Sequence, residues 1–198
     1  MNIQVSQSQQ TTQAAEGLPR RAWTVAEIER MVASGFLDEG ERFELIGGEI
    51  VPMSARGAHH ENVKRALNKF WVRALPPDME VLTETTLRSG ANDFREPDFV
   101  FWPSAVADLQ PQHVELIVEI ADSSLAYDLG RKAAYYASLG LPDYWVIDAQ
   151  SLVTRVHRDP AGEAYASIIA SDRQTFLTPL RLPGLAVRLA DLGLDPVT

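Results

Sequence analysis

The sequence predicts a mixed α+β domain built on a central β-sheet, and two observations favour this class. Strand-like and helix-like hydrophobic patterns follow one another in the order αββαβββαβββ, with no internal repeat and no linker. A strand at 114–120, a helix at 126–139 and a strand at 143–148 also form a predicted βαβ unit, which implies a parallel strand pair joined by a right-handed crossover. We therefore expect one mixed sheet flanked by helices.

Composition restricts the class of protein further. The chain has 198 residues, of which 45% are hydrophobic, so it is long enough for a sizeable core and is not disordered throughout. The absence of cysteine excludes a disulfide framework, a thiolate zinc site and a cysteine nucleophile. The 27 acidic and 18 basic side chains give a formal net charge of −9. We expect a single domain over residues 19–198.

The first 18 residues differ from the rest of the chain. They are rich in Gln, Ser and Thr, contain no Lys or Arg, and lack the apolar core of a secretory signal. We predict a disordered tail over residues 1–18. No apolar stretch approaches the ~18 residues that a membrane span needs, so we expect a soluble, cytoplasmic protein with no membrane partner.

Local signals define the elements that follow the tail. Thr24 and Glu27 fit a capping box at the start of a short helix, and Gly35 is a suitable helix stop. Residues 42–53 alternate apolar and polar on both sides of Gly47-Gly48, which predicts a β-hairpin.

A longer amphipathic helix is predicted after Gly57, because apolar residues recur there with helical spacing until Pro76-Pro77 ends the pattern. Strands are then predicted at 80–87, 97–102 and 114–120, and Ser123 or Ser124 caps the helix that Gly140 closes. After the strand at 143–148, two more strands are predicted at 152–158 and 163–169.

Two carboxylates stand at or inside strands that look buried. Asp98 follows Pro97, and Glu119 lies within the apolar run LIVEI, where an ionised carboxylate is costly unless a positive charge compensates it. One divalent cation would compensate both, since Mg²⁺ takes hard oxygen ligands. Two plainer interpretations stay open: Asp98 caps a strand end, and Glu119 forms a structural ion pair with Arg131, Lys132 or Arg95.

The next helix supplies a positive charge. Lys132 lies 13 positions after Glu119, and i, i+4 spacing places Asp128, Lys132 and Tyr136 on one helical face. An Asp, Glu and Lys set of this kind suits metal-assisted hydrolysis, in which the lysine steadies charge on a phosphoryl oxygen. The alternative is that Lys132 only pairs with Asp128 on a solvated face.

An ordered series of motifs makes the chain resemble the Uma-two family, a bacterial group of proposed endonucleases within the restriction-endonuclease-like superfamily, whose signature is PD-(D/E)XK. The resemblance covers about residues 23–190. It rests on EPD at 96–98, EIADSS at 119–124, YDLGRK at 127–132, Tyr136-Ala137, Gly140, DYWVID at 143–148, RFELI at 42–46 with Gly48-Glu49, Met53-Ser54 followed by His60, and LPGL at 182–185.

The resemblance implies a restriction-endonuclease-like fold and a Mg²⁺- or Mn²⁺-dependent endonuclease that hydrolyses DNA. Asp98 matches the superfamily aspartate and Glu119 the metal-binding acid. Ala121 stands where the superfamily lysine is expected, and Lys132 matches the lysine that the family carries on the helix instead. Glu44 matches an early acidic position and is a further candidate metal ligand.

Other residues have weaker signals. His60 matches a family position without a clear role, and we predict that His59 and His60 are polar residues at a helix start. Aromatic residues are expected to pack in the core rather than to stack on bases. These are Trp71, Trp102, Tyr135, Tyr144 and Trp145.

The sequence offers one candidate surface for DNA binding and one argument against DNA binding. Lys64, Arg65, Lys69 and Arg73 form a basic stripe that either contacts the DNA backbone or is only a solvated helix face. A net charge of −9 repels phosphate at long range. A second hypothesis is therefore a catalytically inactive, nuclease-derived binding or assembly protein. By family analogy alone, a homodimer is also expected.

Overall fold

The computed structural model describes residues 11–13, 19–38, 40–53 and 56–197. The chain divides into two compact units, the first formed by Met1–Ser54 with Arg88–Glu96 and the second by Ala55–Leu87 with Pro97–Thr198. Most of the predicted tail, 1–18, lies outside the described residues, apart from a short strand at Thr11–Gln13. The prediction of one domain over 19–198 stays a prediction.

Twelve strands and four α-helices are present in the described residues. The strands are β1 (Thr11–Gln13), β2 (Pro19–Arg21), β3 (Phe43–Ile46), β4 (Glu49–Pro52), β5 (Met79–Leu82), β6 (Leu87–Gly90), β7 (Asp93–Arg95), β8 (Phe99–Pro103), β9 (Leu116–Ala121), β10 (Asp143–Asp148), β11 (Thr154–Ala161) and β12 (Ala164–Ser171). The helices are α1 (Val25–Ala33), α2 (Ala58–Ala74), α3 (Leu125–Tyr127) and α4 (Ala133–Ser138), with a π-helical segment at Asp128–Lys132 between α3 and α4. Three 3₁₀ turns occur at Pro111–His113, Pro183–Leu185 and Leu189–Leu192.

The first unit contains α1, the β1-β2 pair and a sheet of order β4-β3-β7-β6, of which Leu87 alone is assigned to the second unit. The Thr24 side chain accepts from the Glu27 N–H, and Glu27 accepts from the Thr24 N–H at 3.0 Å, which confirms the predicted capping box. Gly47 and Gly48 have φ values of 58° and 84°, as a tight hairpin turn requires, so the predicted hairpin is confirmed.

The second unit is built on a six-stranded mixed sheet of order β12-β11-β10-β9-β8-β5. Strands β9 and β10 are parallel neighbours, and the helical segment from α3 to α4 connects them, as the predicted βαβ unit requires. The remaining pairs in this sheet are antiparallel. The α+β class with a central mixed sheet is therefore confirmed.

Alternation along β9 assigns the two helical layers to opposite faces of this sheet. Leu116, Val118 and Ile120 join the apolar cluster that contains Val63, Leu67 and Trp71 of α2. Ile117 and Ala121 join a different cluster, which contains Ala133, Tyr136 and Ala137 of α4. Because successive side chains of a strand point to opposite faces, α2 covers one face and α4 the other.

Two predicted elements differ from the structure. The strand predicted at 80–87 is two strands, since β5 ends at Leu82 and β6 begins at Leu87 in the other sheet. Between them Glu84 adopts φ 56°, a left-handed conformation that interrupts an extended strand. The helix predicted at 126–139 is interrupted by the π-helical segment. Within the described residues, no helix combines the length and the apolar composition needed to cross a membrane.

Candidate functional site

Asp98 lies directly before β8 at the edge where that strand meets β9. Its carboxylate is buried, and Oδ2 accepts a hydrogen bond of 2.8 Å from the backbone N–H of Ile120. The same oxygen lies 3.1 Å from Nε2 of His60, which comes from the first turn of α2. Asp98 is therefore held from one side by the neighbouring strand and from the other by α2.

A lysine of the same helix approaches the other carboxylate oxygen. Nζ of Lys64 is 3.6 Å from Oδ1 of Asp98, and this ammonium also pairs with Glu84. Glu84 in turn pairs with Arg56, just before α2 begins. The left-handed backbone of Glu84 places its carboxylate within this ion-pair network, which is consistent with strained residues occurring at functional sites.

These neighbours determine the protonation of Asp98. Burial by itself raises the pKa of a carboxyl, but the hydrogen bond and charge of His60, the Ile120 N–H and the Lys64 ammonium all act in the opposite direction. The net effect is that the pKa of Asp98 is lowered below its usual value. Asp98 is thus an ionised carboxylate near neutral pH.

Glu119 projects from β9 towards the helical segment that connects β9 to β10. Its Oε1 accepts hydrogen bonds from Nζ of Lys132 at 3.0 Å and from the hydroxyl of Tyr136 at 3.1 Å. Nζ of Lys132 also lies 3.7 Å from Oδ1 of Asp128 and 5.9 Å from the centre of the Tyr127 ring. Both Glu119 and Lys132 are buried, so the ion pair that the sequence left open is present and Lys132 does not lie on a solvated face.

The π-helical segment presents Lys132 to Glu119. A π-helix has a wider turn than an α-helix, and the segment Asp128–Lys132 ends with the lysine itself. The hydroxyl of Tyr144 on β10 donates to the carbonyl of Asp128 at 3.0 Å and so provides a partner for backbone in the widened turn. Turns of this kind are frequent at functional sites.

The two acids occupy neighbouring positions of the sheet. Phe99 of β8 pairs with Val118 of β9, so the antiparallel register places Asp98 opposite Glu119. Their side-chain partners come from different helices, since α2 contacts Asp98 whereas α4 and the π-helical segment contact Glu119.

Asp98 and Glu119 supply the hard oxygen donors that Mg²⁺ and Mn²⁺ take. Across the described parts of the chain, no group of three or more His, Cys, Asp or Glu side chains is arranged to hold a metal ion. The chemistry of two carboxylates suits a cation whose remaining ligands are water and substrate oxygens. It does not fit a closed cage of protein ligands.

Glu44 lies in β3 of the first compact unit. Its buried carboxylate is 3.9 Å from Nε of Arg95 and accepts weakly from the backbone N–H of Glu96 at 3.4 Å. These contacts account for the burial of an acidic side chain within that unit. The role of Glu44 as a metal ligand stays a prediction.

The basic stripe is smaller than the sequence indicates. Arg65, Lys69 and Arg73 are exposed on α2, but Lys64 is buried and ion-paired, so it is not part of a solvated surface. Most of the aromatic residues assigned to the core are buried, while Tyr135 is partly buried against the α4 cluster. The buried ones are Trp71, Trp102, Tyr144 and Trp145.

Sequence reasoning missed the contacts of His60 and Lys64 with Asp98, although one signal was available. His60, Lys64, Leu67 and Trp71 are spaced 4, 3 and 4 positions apart, which places the two polar residues on the buried face of α2. A polar residue on such a face needs a buried partner. Glu84 carried no comparable signal, because no Gly, Pro, Asn or Asp in residues 80–87 marks the break at which it lies.

Comparisons with solved structures identify the fold. The chain is similar to a structure described as "a putative nuclease belonging to DUF820 from Anabaena variabilis ATCC 29413", with 14% identity, a TM-score of 0.61, and 85% of this chain and 96% of that chain covered. This likeness confirms the restriction-endonuclease-like fold. A smaller likeness, to the type IIG restriction endonuclease BpuSI, has 20% identity, covers 54% of this chain and 13% of that chain, and has a TM-score of 0.34.

The family is identified by sequence. No curated protein matches the chain. The model of the Uma2 family, whose description is "Putative restriction endonuclease", matches residues 25–191, which include Asp98, Glu119, Lys132 and His60. The chain therefore belongs to the Uma2 family.

Proposed function

We propose that the protein is a Mg²⁺- or Mn²⁺-dependent endonuclease that hydrolyses phosphodiester bonds in DNA. The observation that carries this proposal is the buried contact of 3.0 Å between Lys132 and Glu119, at the sheet position opposite Asp98. A lysine, a metal-binding acid and an aspartate are the set that the superfamily signature requires, although here the lysine comes from a helical segment. The family and the fold support a nuclease; the metal and the DNA substrate are our proposal.

Each residue has a distinct part in the proposed reaction. Asp98 and Glu119 would hold the cation, which when bound polarises a phosphoryl oxygen and lowers the pKa of a water molecule. The Lys132 ammonium would donate to a phosphoryl oxygen as negative charge develops there. His60 and Lys64 would keep Asp98 ionised and fixed in orientation, because both contact its carboxylate.

The exposed cations of α2 are the proposed contact with DNA. Arg65, Lys69 and Arg73 are exposed on this helix, whereas Lys64 leaves the set and joins the site around Asp98. With a net charge of −9, attraction to DNA must come from a local surface of this kind. Binding should therefore weaken steeply as salt is added.

Nicking of supercoiled plasmid tests the proposed activity. With Mg²⁺ or Mn²⁺ the parent protein should nick the plasmid, and chelation should abolish the reaction. Lys132→Ala should lose about 10²-fold or more of the rate while still binding metal, because it removes a charge stabiliser rather than a ligand. Asp98→Ala and Glu119→Ala should lose both properties, as direct metal titration would measure.

Folding must be controlled, because all three side chains are buried. Each variant is assayed below its own melting temperature, and Arg131→Ala serves as the matched control, since Arg131 neighbours Lys132 but is exposed. Lys132→Ala with the parent rate would remove Lys132 from the mechanism. A parent protein that neither binds Mn²⁺ nor nicks DNA would overturn the proposal.

One observation favours the second candidate, a nuclease-derived binding or assembly protein. The carboxylates of Asp98 and Glu119 are both already paired with cationic side chains of the protein, so their burial does not require a metal ion. Metal titration separates the two candidates. Binding of Mn²⁺ that depends on Asp98 and Glu119 supports the nuclease, and folded protein without metal binding supports the alternative.

A further inference from the structure

Strand β12 forms an edge of the central sheet, and its composition is unusual for an edge strand. Among the described strands, β11 is its only partner, because β12 stands at the end of the sheet order. Its eight residues, AYASIIAS, contain no charge and no proline. Pairing with β11 keeps one register from Thr154↔Ser171 to Ala161↔Ala164, with an interruption opposite Ala166, where Asp159 of β11 adopts φ 57°.

Natural edge strands are normally protected against pairing with another chain. The usual devices are charged side chains, proline, bulges or very short strands. Strand β12 has neither a charged side chain nor a proline, and it is eight residues long. It also exposes apolar side chains on both of its faces, since Ile168 and Ile169 are each 57% exposed. Such an edge carries an open row of backbone donors and acceptors and behaves as a site for an additional strand.

We propose that β12 pairs with β12 of a second copy of this chain, antiparallel and about a two-fold axis at Ile168, so that the two six-stranded sheets join into one. Three exposed residues of β12 support this partner. Ala166, Ile168 and Ala170 read the same in both directions, so a two-fold axis at Ile168 sets Ile168 against Ile168 and Ala166 against Ala170. A two-fold interface requires self-complementarity of this kind.

The flanking charges agree with the same register. With Ile168 at the axis, Glu163 in the turn before β12 of one copy and Arg173 in the turn after β12 of the other come to the same end of the joined strands, and the symmetry produces this opposite-charge pair twice. Arg173 also holds Asp195 of its own copy at 2.6 Å. Cross-strand pairs of opposite charge stabilise a sheet, and like charges in those positions destabilise it.

The charge of the whole chain opposes this association at long range. Two copies, each with a net charge of −9, repel one another, and added salt screens this repulsion. The proposed dimer should therefore become tighter as ionic strength rises. An interface held mainly by salt bridges would weaken instead.

Cysteine cross-linking tests the register, because the chain has no cysteine of its own. Residues directly opposite in an antiparallel pair have Cα atoms about 4.5–5.5 Å apart, which suits a disulfide. Ile168→Cys should therefore form a covalent dimer under mild oxidation of the folded protein. Ala166→Cys should not, since its counterpart lies several residues away. Val72→Cys is the exposure-matched control, because Val72 on α2 is 59% exposed, and it should also remain uncoupled.

Sedimentation of uncross-linked variants gives an independent readout. Ile168→Lys places two ammonium groups face to face and should raise the dimer Kd about tenfold or more, whereas Val72→Lys should leave it unchanged. Ala164→Lys, which faces Asp172 of the other copy in this register, should tighten the dimer, and Ala164→Glu should loosen it. Circular dichroism confirms that each variant is folded.

Two results would overturn the proposal. The first is a parent protein that remains monomeric at all concentrations, which would leave β12 to a peptide or to no partner. The second is a dimer whose Kd is the same for Ile168→Lys and Val72→Lys, which would locate the interface elsewhere. Preferential coupling of Ile168→Cys over Ala166→Cys, together with a weakened Ile168→Lys dimer, supports the proposal. None of these measurements depends on nuclease activity.

Discussion

The buried ion pair between Glu119 and Lys132 is asymmetric, and this determines how each residue can be replaced. Lys132 has two carboxylate neighbours, Glu119 at 3.0 Å and Asp128 at 3.7 Å. Lys132→Met would leave both carboxylates buried beside one another without this ammonium, which should cost about 3–5 kcal/mol of the free energy of unfolding. Glu119→Gln leaves Lys132 beside Asp128 and should cost less, about 1–3 kcal/mol. Urea denaturation of both variants measures the difference.

Tyr136 provides the control for this comparison. Tyr136→Phe removes only the 3.1 Å hydrogen bond to Glu119 and should cost about 1 kcal/mol. Equal losses for Lys132→Met and Glu119→Gln would contradict the bridging position of Lys132. If Lys132→Met and Glu119→Gln each lost less free energy of unfolding than Tyr136→Phe, the buried ion pair would contribute little to stability.

His157 on β11 gives a second prediction at the scale of a residue. It is buried against Tyr144 and Tyr165, and its Nδ1 lies 3.2 Å from the Tyr144 carbonyl oxygen. Burial lowers the pKa of this imidazole, against hydrogen bonds to backbone that raise it. The folded protein therefore favours neutral His157. Its contribution to stability is complete above the unfolded pKa of about 6.5 and is lost as pH falls below that value.

The measurement is the free energy of unfolding from pH 8 to pH 5 for the parent and for His157→Gln. The free energy of unfolding of the variant should fall less on acidification than that of the parent. The reason is that the variant has no buried imidazole whose protonation is disfavoured in the folded state. His59→Gln, at an exposed position of α2, should decline like the parent. An unchanged slope in His157→Gln would assign the acid sensitivity to other groups.

The hairpin of β3 and β4 allows a test at the scale of an element, because its two turn glycines differ in their surroundings. Both have positive φ, but a Cβ on Gly48 would lie 2.6 Å from Cβ of Ala22 and 2.9 Å from the backbone N of Trp23, whereas Gly47 has no neighbour within 4 Å. Gly47→Ala should cost about 1 kcal/mol, the ordinary cost of a left-handed conformation. Gly48→Ala should cost clearly more, and thermal denaturation of the two variants would show it. Equal losses would mean that the backbone near Ala22 moves aside.

Local sequence signals predicted some elements of the structure and not others. Capping and hairpin signals identified α1 and the β3-β4 turn, because the interactions that fix them lie within a few residues. The break between β5 and β6 had no such signal, since residues 80–87 contain no Gly, Pro, Asn or Asp to mark a turn. The carboxylate of Glu84 pairs with Lys64 and Arg56, which lie twenty residues or more earlier in the chain. The π-helical segment likewise depends on Tyr144, which follows it on another strand.

At the scale of the whole molecule, the sequence predicted two acids on buried strands and named Lys132 among the possible partners of Glu119, but it did not identify the partners of Asp98. Buried acids without nearby cations would repel one another and favour a metal ion strongly. The structure supplies Lys64 and His60 for Asp98, and Lys132 for Glu119. These contacts join residues 13 to 38 positions apart, which hydrophobic periodicity does not report. A cation must therefore compete with side chains of the protein for the same carboxylates.

The melting temperature should register this competition. A ligand that binds only the folded state stabilises it by about 2.7 kcal/mol at 100 times its Kd. For a protein of this length that corresponds to a rise of about 5–10 °C. Millimolar Mn²⁺ should therefore raise the melting temperature of the parent protein. Asp98→Asn and Glu119→Gln should show no such rise, because each lacks one of the two proposed ligands.

The metal-free proteins provide the control for this measurement. Because Asp98 is paired with Lys64 and His60, Asp98→Asn should melt below the parent when no metal is present. If repulsion between the acids dominated instead, Asp98→Asn would melt above the parent, since neutralising one acid would relieve it. A parent whose melting temperature does not respond to Mn²⁺, together with a lower one in metal-free Asp98→Asn, would show that these carboxylates serve the fold alone. A response to Mn²⁺ that both substitutions abolish would instead assign Asp98 and Glu119 to a metal site, with Lys64, His60 and Lys132 as the groups that the cation partly displaces.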